Sequence, residues 1–125
     1  MLGKVKASGN KEIVKRTYKF AIRIVKLCQV LDDMPGVSRI MSKQLLRSGT
    51  SIGANVEEGQ AGQTKQDFIY KMTISLKEAR ETKYWLRLLR DSDILSEKRL
   101  KPLIDESYEI ANVLAQIIIN NRKTS

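Results

Sequence analysis

The chain has no histidine. That absence removes Ser–His and Cys–His nucleophile pairs, the commonest general base and the usual zinc ligand sets. Cysteine occurs once, at Cys28, which excludes an internal disulfide and fits a reducing, cytoplasmic setting. Cys28 falls on the apolar side of the first helical pattern, where a buried small hydrophobe is expected rather than a reactive thiol. Apolar runs are short. Ile117-Ile118-Ile119 is far below the ~20 residues a bilayer requires, and no signal-peptide pattern opens the chain. Aromatics make up 6% of the chain, and Tyr18, Tyr70 and Tyr84 are scattered rather than set as a stacking platform. No recognised RNA-binding motif is present, so sequence-specific readout is not expected.

What is present is a globular balance: 125 residues, 42% hydrophobic and 30% charged, enough for one domain with a real core. The net charge is +9, and its distribution is uneven. Residues 1–26 hold Lys4, Lys6, Lys11, Lys15, Arg16, Lys19, Arg23 and Lys26 against Glu12 alone. The rest of the chain carries 15 basic and 13 acidic side chains. One end is basic and the remainder is close to neutral.

The spacing of apolar residues predicts an all-α protein. A flexible basic arm over residues 1–10 precedes a four-helix bundle over 11–122, with helices at about 11–31, 38–61, 65–90 and 97–121. In the first helix Ile13, Thr17, Phe20, Ile24, Leu27 and Leu31 form a stripe broadened by Val14, Ala21 and Cys28, while Lys15, Lys19, Arg23 and Lys26 form a ridge on the opposite side. Asp32-Asp33-Met34-Pro35-Gly36 breaks the pattern. Ser38 is the expected N-cap of the second helix and Gly62 its C-cap; Thr64 and Asp67 are candidate caps for the third, and Ser96 is expected to open the fourth. Pro102 either kinks the fourth helix or begins it. Beyond it Leu103, Ser107, Ile110, Leu114 and Ile117 repeat as heptads. Four such helices with short connections predict an antiparallel up-and-down bundle.

The second helix carries more than a bundle needs. Met41, Leu45, Ile52 and Val56 supply an apolar stripe, and Arg47, Ser51, Asn55 and Glu58 recur as a second, polar one. Gly49 and Gly53 sit between them, where a neighbouring backbone could approach closely. In the third helix Glu78, Glu81 and Trp85 share a ridge suited to that ladder. The expectation is a nearly all-round-buried second helix whose Arg47 pairs with Glu81 or Glu58. The network lies either inside the bundle or at a subunit interface. As a site, these carboxylates beside an arginine would do acid–base work or hold a metal. Without histidine as a proton shuttle, a structural network is the preferred reading. On that reading Glu81→Ala costs about a few kcal/mol, because it strands a buried arginine.

Ser48 to Gln60, together with Asp67-Phe68-Ile69 and Glu78 to Leu86, resembles the signature of the small four-helix-bundle proteins called 23S rRNA-intervening-sequence proteins. The resemblance covers about residues 12–120. It implies an up-and-down bundle that assembles into a homo-oligomeric ring, a pentamer by analogy. Many members are encoded in sequences interrupting 23S rRNA genes, which makes RNA the implied partner. The accessory variability determinant of diversity-generating retroelements, a basic nucleic-acid-binding pentamer, is similar. The family has no established enzymatic activity.

The resulting expectation is a non-enzymatic, homo-oligomeric protein that binds nucleic acid, RNA before DNA, or acts as a scaffold. Lys15, Lys19, Arg23 and Lys26 would contact phosphates, with Lys4, Lys6, Lys11 and Arg16 assisting. Arg47, Ser51, Asn55, Glu58, Glu78, Glu81 and Trp85 would hold the fold or an interface. No metal, cofactor or small-molecule substrate is implied. A membrane-surface role is disfavoured because the first helix lacks Trp and the bundle needs its apolar face. The competing class is a protein-interaction module whose basic side docks an acidic protein, with no nucleic-acid role.

Overall fold

The computed structural model describes residues 7–123, with side chains from Asn10 onward. Its elements are α1 (Ala7–Asp32), α2 (Val37–Gln60), α3 (Lys65–Asp91) and α4 (Glu97–Lys123), with no strand among the described residues. The first helix starts four residues before Lys11, so residues 7–10 of the expected arm are helical. Lys4 and Lys6 lie outside the described residues.

Neighbouring helices run antiparallel, as contacts across the α1–α2 and α2–α3 seams show. Along α2, Arg47, Ile52 and Glu58 meet Glu81, Ser75 and Lys71 of α3 in descending order. On α1, Cys28 meets Ser42 while Thr17 lies beside Gly53. Connections of four or five residues leave no other arrangement.

The stripes expected on α1 and α2 form their share of the core. Ile13, Thr17, Phe20, Ile24, Leu27 and Leu31 of α1 are all buried, as are Met41, Leu45, Ile52 and Val56 of α2. On α3 the buried line is Phe68, Met72, Ser75, Ala79, Thr82, Leu86 and Leu89. On α4 it drifts. Leu103, Ser107, Ile110 and Leu114 are buried as heptads predict, but Ile118 and Asn121 then face inward, and Ile117 is only half-buried. A straight helix advances at 3.6 residues per turn, so a 3.5-residue repeat falls off the inward face after a few turns.

The helix ends differ from expectation in two places. Gly36, at φ 76°, turns the chain and leads directly into α2. Ser38 is therefore buried within the first turn and caps nothing. At the other end Ala61 closes α2, its N–H bonding to the Glu58 carbonyl and the next N–H, of Gly62, to the Gly59 carbonyl; Gly62 has no left-handed backbone and is not the cap. Thr64 does cap α3, accepting the Asp67 N–H at 3.0 Å, and Ser96 accepts the Arg99 N–H at 3.2 Å. Pro102 lies inside α4 rather than at its start. Its missing N–H leaves a backbone carbonyl one turn back without its helical donor.

Gly49 and Gly53 are where α1 and α2 meet most closely. A Cβ on Gly49 would stand 2.7 Å from Ile24 Cγ2, and one on Gly53 would stand 3.3 Å from the Thr17 carbonyl oxygen. Ile24 is completely buried and β-branched, so it has little room to yield. Gly49→Ala is therefore expected to lower stability by a net ~1–2 kcal/mol, overpacking outweighing the ~1 kcal/mol gained in helix propensity. Thermal unfolding measures this, and an unchanged or raised Tm would contradict the close approach.

Candidate nucleic-acid interface

Rotation of α1 about its axis decides what it displays. With Ile13, Thr17, Phe20, Ile24 and Leu27 turned inward, Lys11, Lys15, Lys19, Arg23 and Lys26 are exposed on the outer side. None of these five enters an ion pair among the described residues. The sequence-predicted ridge of Lys15, Lys19, Arg23 and Lys26 is thus exposed without ion pairs, with Lys11 before it and the carboxylate of Glu12 at its start.

Arg16 is different. Its guanidinium makes a bidentate bridge to Glu106 of α4 at 2.7 and 2.9 Å. The bond raises the arginine's pKa and holds the Glu106 carboxyl below the ordinary glutamate range. Arg16 therefore serves the α1–α4 seam, where Glu106 neutralises it. Sequence reasoning had no signal for this pair, whose partners lie 90 positions apart.

The ridge borders that seam, and two hollows open along it. One of about 340 Å³ is lined by Glu12, Ile13, Lys15, Arg16, Lys19 and Val113. The other, about 280 Å³, is lined by Arg23, Lys26, Leu27, Arg99, Pro102 and Leu103. Arg99, an exposed residue in the first turn of α4, adds a cation that sequence reading did not connect to the ridge.

The Arg47 network lies elsewhere, on the outside of the α2–α3 seam. Arg47 bridges Glu78, at 3.1 Å, and Glu81, while Trp85 Nε1 donates to Glu81 at 3.0 Å. The Trp85 N–H and then the guanidinium lower the Glu81 pKa. Glu58 pairs with Lys71 at 2.7 Å, not with Arg47, and Ser51 and Asn55 donate to carbonyls of their own helix. The Arg47 side chain is 47% exposed, so α2 is not buried all round and the ladder is not inside the bundle. The buried polar seam is made of smaller groups. The Thr82 hydroxyl lies 2.9 Å from Ser48 Oγ and 2.8 Å from the Glu78 carbonyl oxygen, and Ser75 donates to the Ile52 carbonyl at 2.8 Å. Cys28 is buried with its pKa raised by desolvation, as a structural thiol should be.

The family model for the 23S rRNA-intervening sequence protein matches residues 9–116. The chain belongs to this family. A solved structure of a protein of unknown function from the S23 ribosomal protein family of Bacteroides thetaiotaomicron is 41% identical. It covers 88% of this chain and 97% of its own, with a TM-score of 0.82. No curated protein matches the chain. Within the family's first signature block, Ser48 reaches Thr82 of α3 while Gly49 and Gly53 receive α1. The second block supplies Glu78, Glu81, Thr82 and Trp85 to the same α2–α3 seam. The residues of these two segments therefore join helices.

No group of side chains suited to a metal ion occurs among the described residues, and no helix there is long and apolar enough to cross a membrane. Because the Arg47–Glu81 pair is solvent-facing, Glu81→Ala is expected to cost ~1 kcal/mol or less. Chemical denaturation distinguishes this from the loss of about 3 kcal/mol or more that a stranded buried charge would produce.

Proposed function

We propose that this protein is a cytoplasmic, non-enzymatic nucleic-acid-binding protein that works as a homo-oligomer and prefers RNA. The observation that carries the reading is the strip Lys11, Lys15, Lys19, Arg23 and Lys26, exposed and without ion-paired carboxylates. Ordinary solvated helix faces intersperse charges of both signs at i, i+4 spacing, which stabilises the helix. Here that spacing is filled with like charges, which suits a phosphate backbone. RNA rather than DNA comes from the family's association with 23S rRNA.

Self-association is supported by an apolar face on the α1–α2 side. Tyr18, Ile22 and Val25 of α1 are exposed at i, i+4 and i+7, with Leu46 of α2 exposed as well. A hollow of about 250 Å³ walled by Tyr18, Ala21, Thr50, Gly53, Ala54 and Glu57 opens there. This face lies roughly a quarter turn around α1 from the ridge, so a ring closed through it repeats the basic strip around its rim. Repetition multiplies weak phosphate contacts into useful avidity.

Two measurements test the reading. Fluorescence anisotropy with a structured RNA and a DNA duplex of equal length is expected to give saturable binding that falls steeply with salt. Reversing Lys15, Lys19 and Arg23 to glutamate together should abolish it. Failure to bind either nucleic acid at low salt, with an acidic protein co-purifying instead, would replace this reading with protein docking. Light scattering coupled to gel filtration is expected to report a mass several times 14.2 kDa. Ile22→Glu should shift it toward the monomer without unfolding the chain, since Ile22 is 42% exposed. A monomeric wild type would exclude the ring.

A further inference from the structure

The two hollows on the α1–α4 seam lie in line. Lys15 and Lys19, with Glu12 as an acidic neighbour, rim the first, over a floor of Ile13 and Val113. Arg23, Lys26 and Arg99 rim the second, over Leu27, Pro102 and Leu103. Eight residues separate Lys15 from Arg23, which is about 12 Å along the helix. The Arg16–Glu106 bridge crosses the seam between them, and Glu106 also feels the charge of Arg23. The result is a furrow with cationic edges, an apolar floor and one neutralised crossing point.

A duplex would use only part of this furrow. Its bases are paired inside, so it offers phosphates to a cationic edge and nothing to an apolar floor. A single strand offers both, because its unpaired bases and sugars can turn away from its phosphates. No aromatic side chain lines either hollow, so ring stacking does not hold the bases. The Arg23 and Arg99 guanidinium planes are the flat surfaces present, and arginine planes stack on bases. Arg99 has no side-chain partner among the described residues: only its backbone N–H is engaged, with Ser96.

We propose that the α1–α4 furrow is a binding groove for single-stranded nucleic acid. Phosphates lie against Lys15, Lys19, Lys26 and Arg99, and sugars and bases rest on the apolar floor beside Arg23. The proposal rests on the electrostatic reading above and deepens it by naming the strandedness of the ligand and a residue of α4 that touches it. Glu106 is then a restraint on binding. It occupies Arg16 and sets a carboxylate in the path of the phosphates.

The experiment uses a labelled single-stranded RNA and an RNA duplex of equal length, titrated with the full-length protein at several salt concentrations. The strand is expected to bind about tenfold more tightly than the duplex at equal salt, a difference of ~1.4 kcal/mol. Arg99→Ala and Arg99→Glu should weaken strand binding and lower the salt slope by about one for the alanine variant. Duplex binding should weaken less than strand binding, because a duplex meets the rim charge of Arg99 without resting on the floor beside it. Glu106→Gln should tighten strand binding. Equal affinity for strand and duplex would overturn the groove, as would Arg99 variants that bind the strand like wild type or a Glu106→Gln variant that binds it no better. If binding persists when Lys15, Lys19 and Arg23 are reversed together, the underlying electrostatic reading fails as well. Loss in that triple variant with unaltered Arg99 variants removes the groove alone.

Discussion

The close approach of α1 and α2 at Gly49 and Gly53 sets much of the geometry. Ile24 fills the space that a side chain at position 49 would occupy, and the Thr17 backbone does the same at position 53. This contact fixes both the separation of the two helices and the rotation of α1. Two glycines inside a helix cost roughly 2 kcal/mol of propensity, which the packing of Ile24 and its buried neighbours offsets. Once α1 is seated this way, its basic ridge has one direction left to face, outward beside the α4 seam. The tightest point of the fold thereby controls the presentation of its most charged surface.

On the other side of α2 the constraint is polar but small. Ser48, Ser75 and Thr82 sit in the core without leaving their hydroxyls unbonded, because each reaches a carbonyl or another hydroxyl. A hydroxyl fills little volume and satisfies itself within one turn or across one seam, so it is compatible with close packing. An arginine is not. Burying Arg47 would have demanded full pairing and desolvation of three charges, and the chain places that triad at the solvent edge of the seam. There Glu78, Glu81 and Trp85 orient it at little cost.

Much of this fold was legible because helical periodicity is local. The α1 stripe follows from spacings of three, four and seven, and the Thr64 and Ser96 caps from residue type at the helix starts; for Arg47 the same spacings left Glu81 and Glu58 both open. Depth was not legible. The Arg47–Ser51–Asn55–Glu58 ladder reads the same whether it faces a core or the solvent, and the decision rests with the rotation set by Gly49 and Gly53. Ser38 looked like a cap because serine caps helices often, but the positive φ of Gly36 starts the helix one residue earlier. The Arg16–Glu106 bridge and the position of Arg99 depend on which face of α4 meets α1, a fact no local pattern contains.

Electrostatics then separates the two polar surfaces. Along the α2–α3 edge Arg47 pairs with Glu78 and Glu81, and Lys71 with Glu58. The α1 ridge pairs none of its five, although carboxylates are available in the chain. Lys11, Lys15, Lys19 and Arg23 repeat at i, i+4, and each such like-charged pair costs a helix about 0.2–0.5 kcal/mol. Nothing in the packing of α1 requires this, since the ridge points away from the core and neutral polar residues would serve as well. The one cation beside the ridge that is neutralised, Arg16, is the one that joins α1 to α4. Arg16, which joins α1 to α4, is paired, whereas Lys15, Lys19, Arg23 and Lys26 stand unpaired beside an open furrow. Self-repulsion of that kind is relieved by a polyanion, which gains from the same arrangement that the free protein pays for.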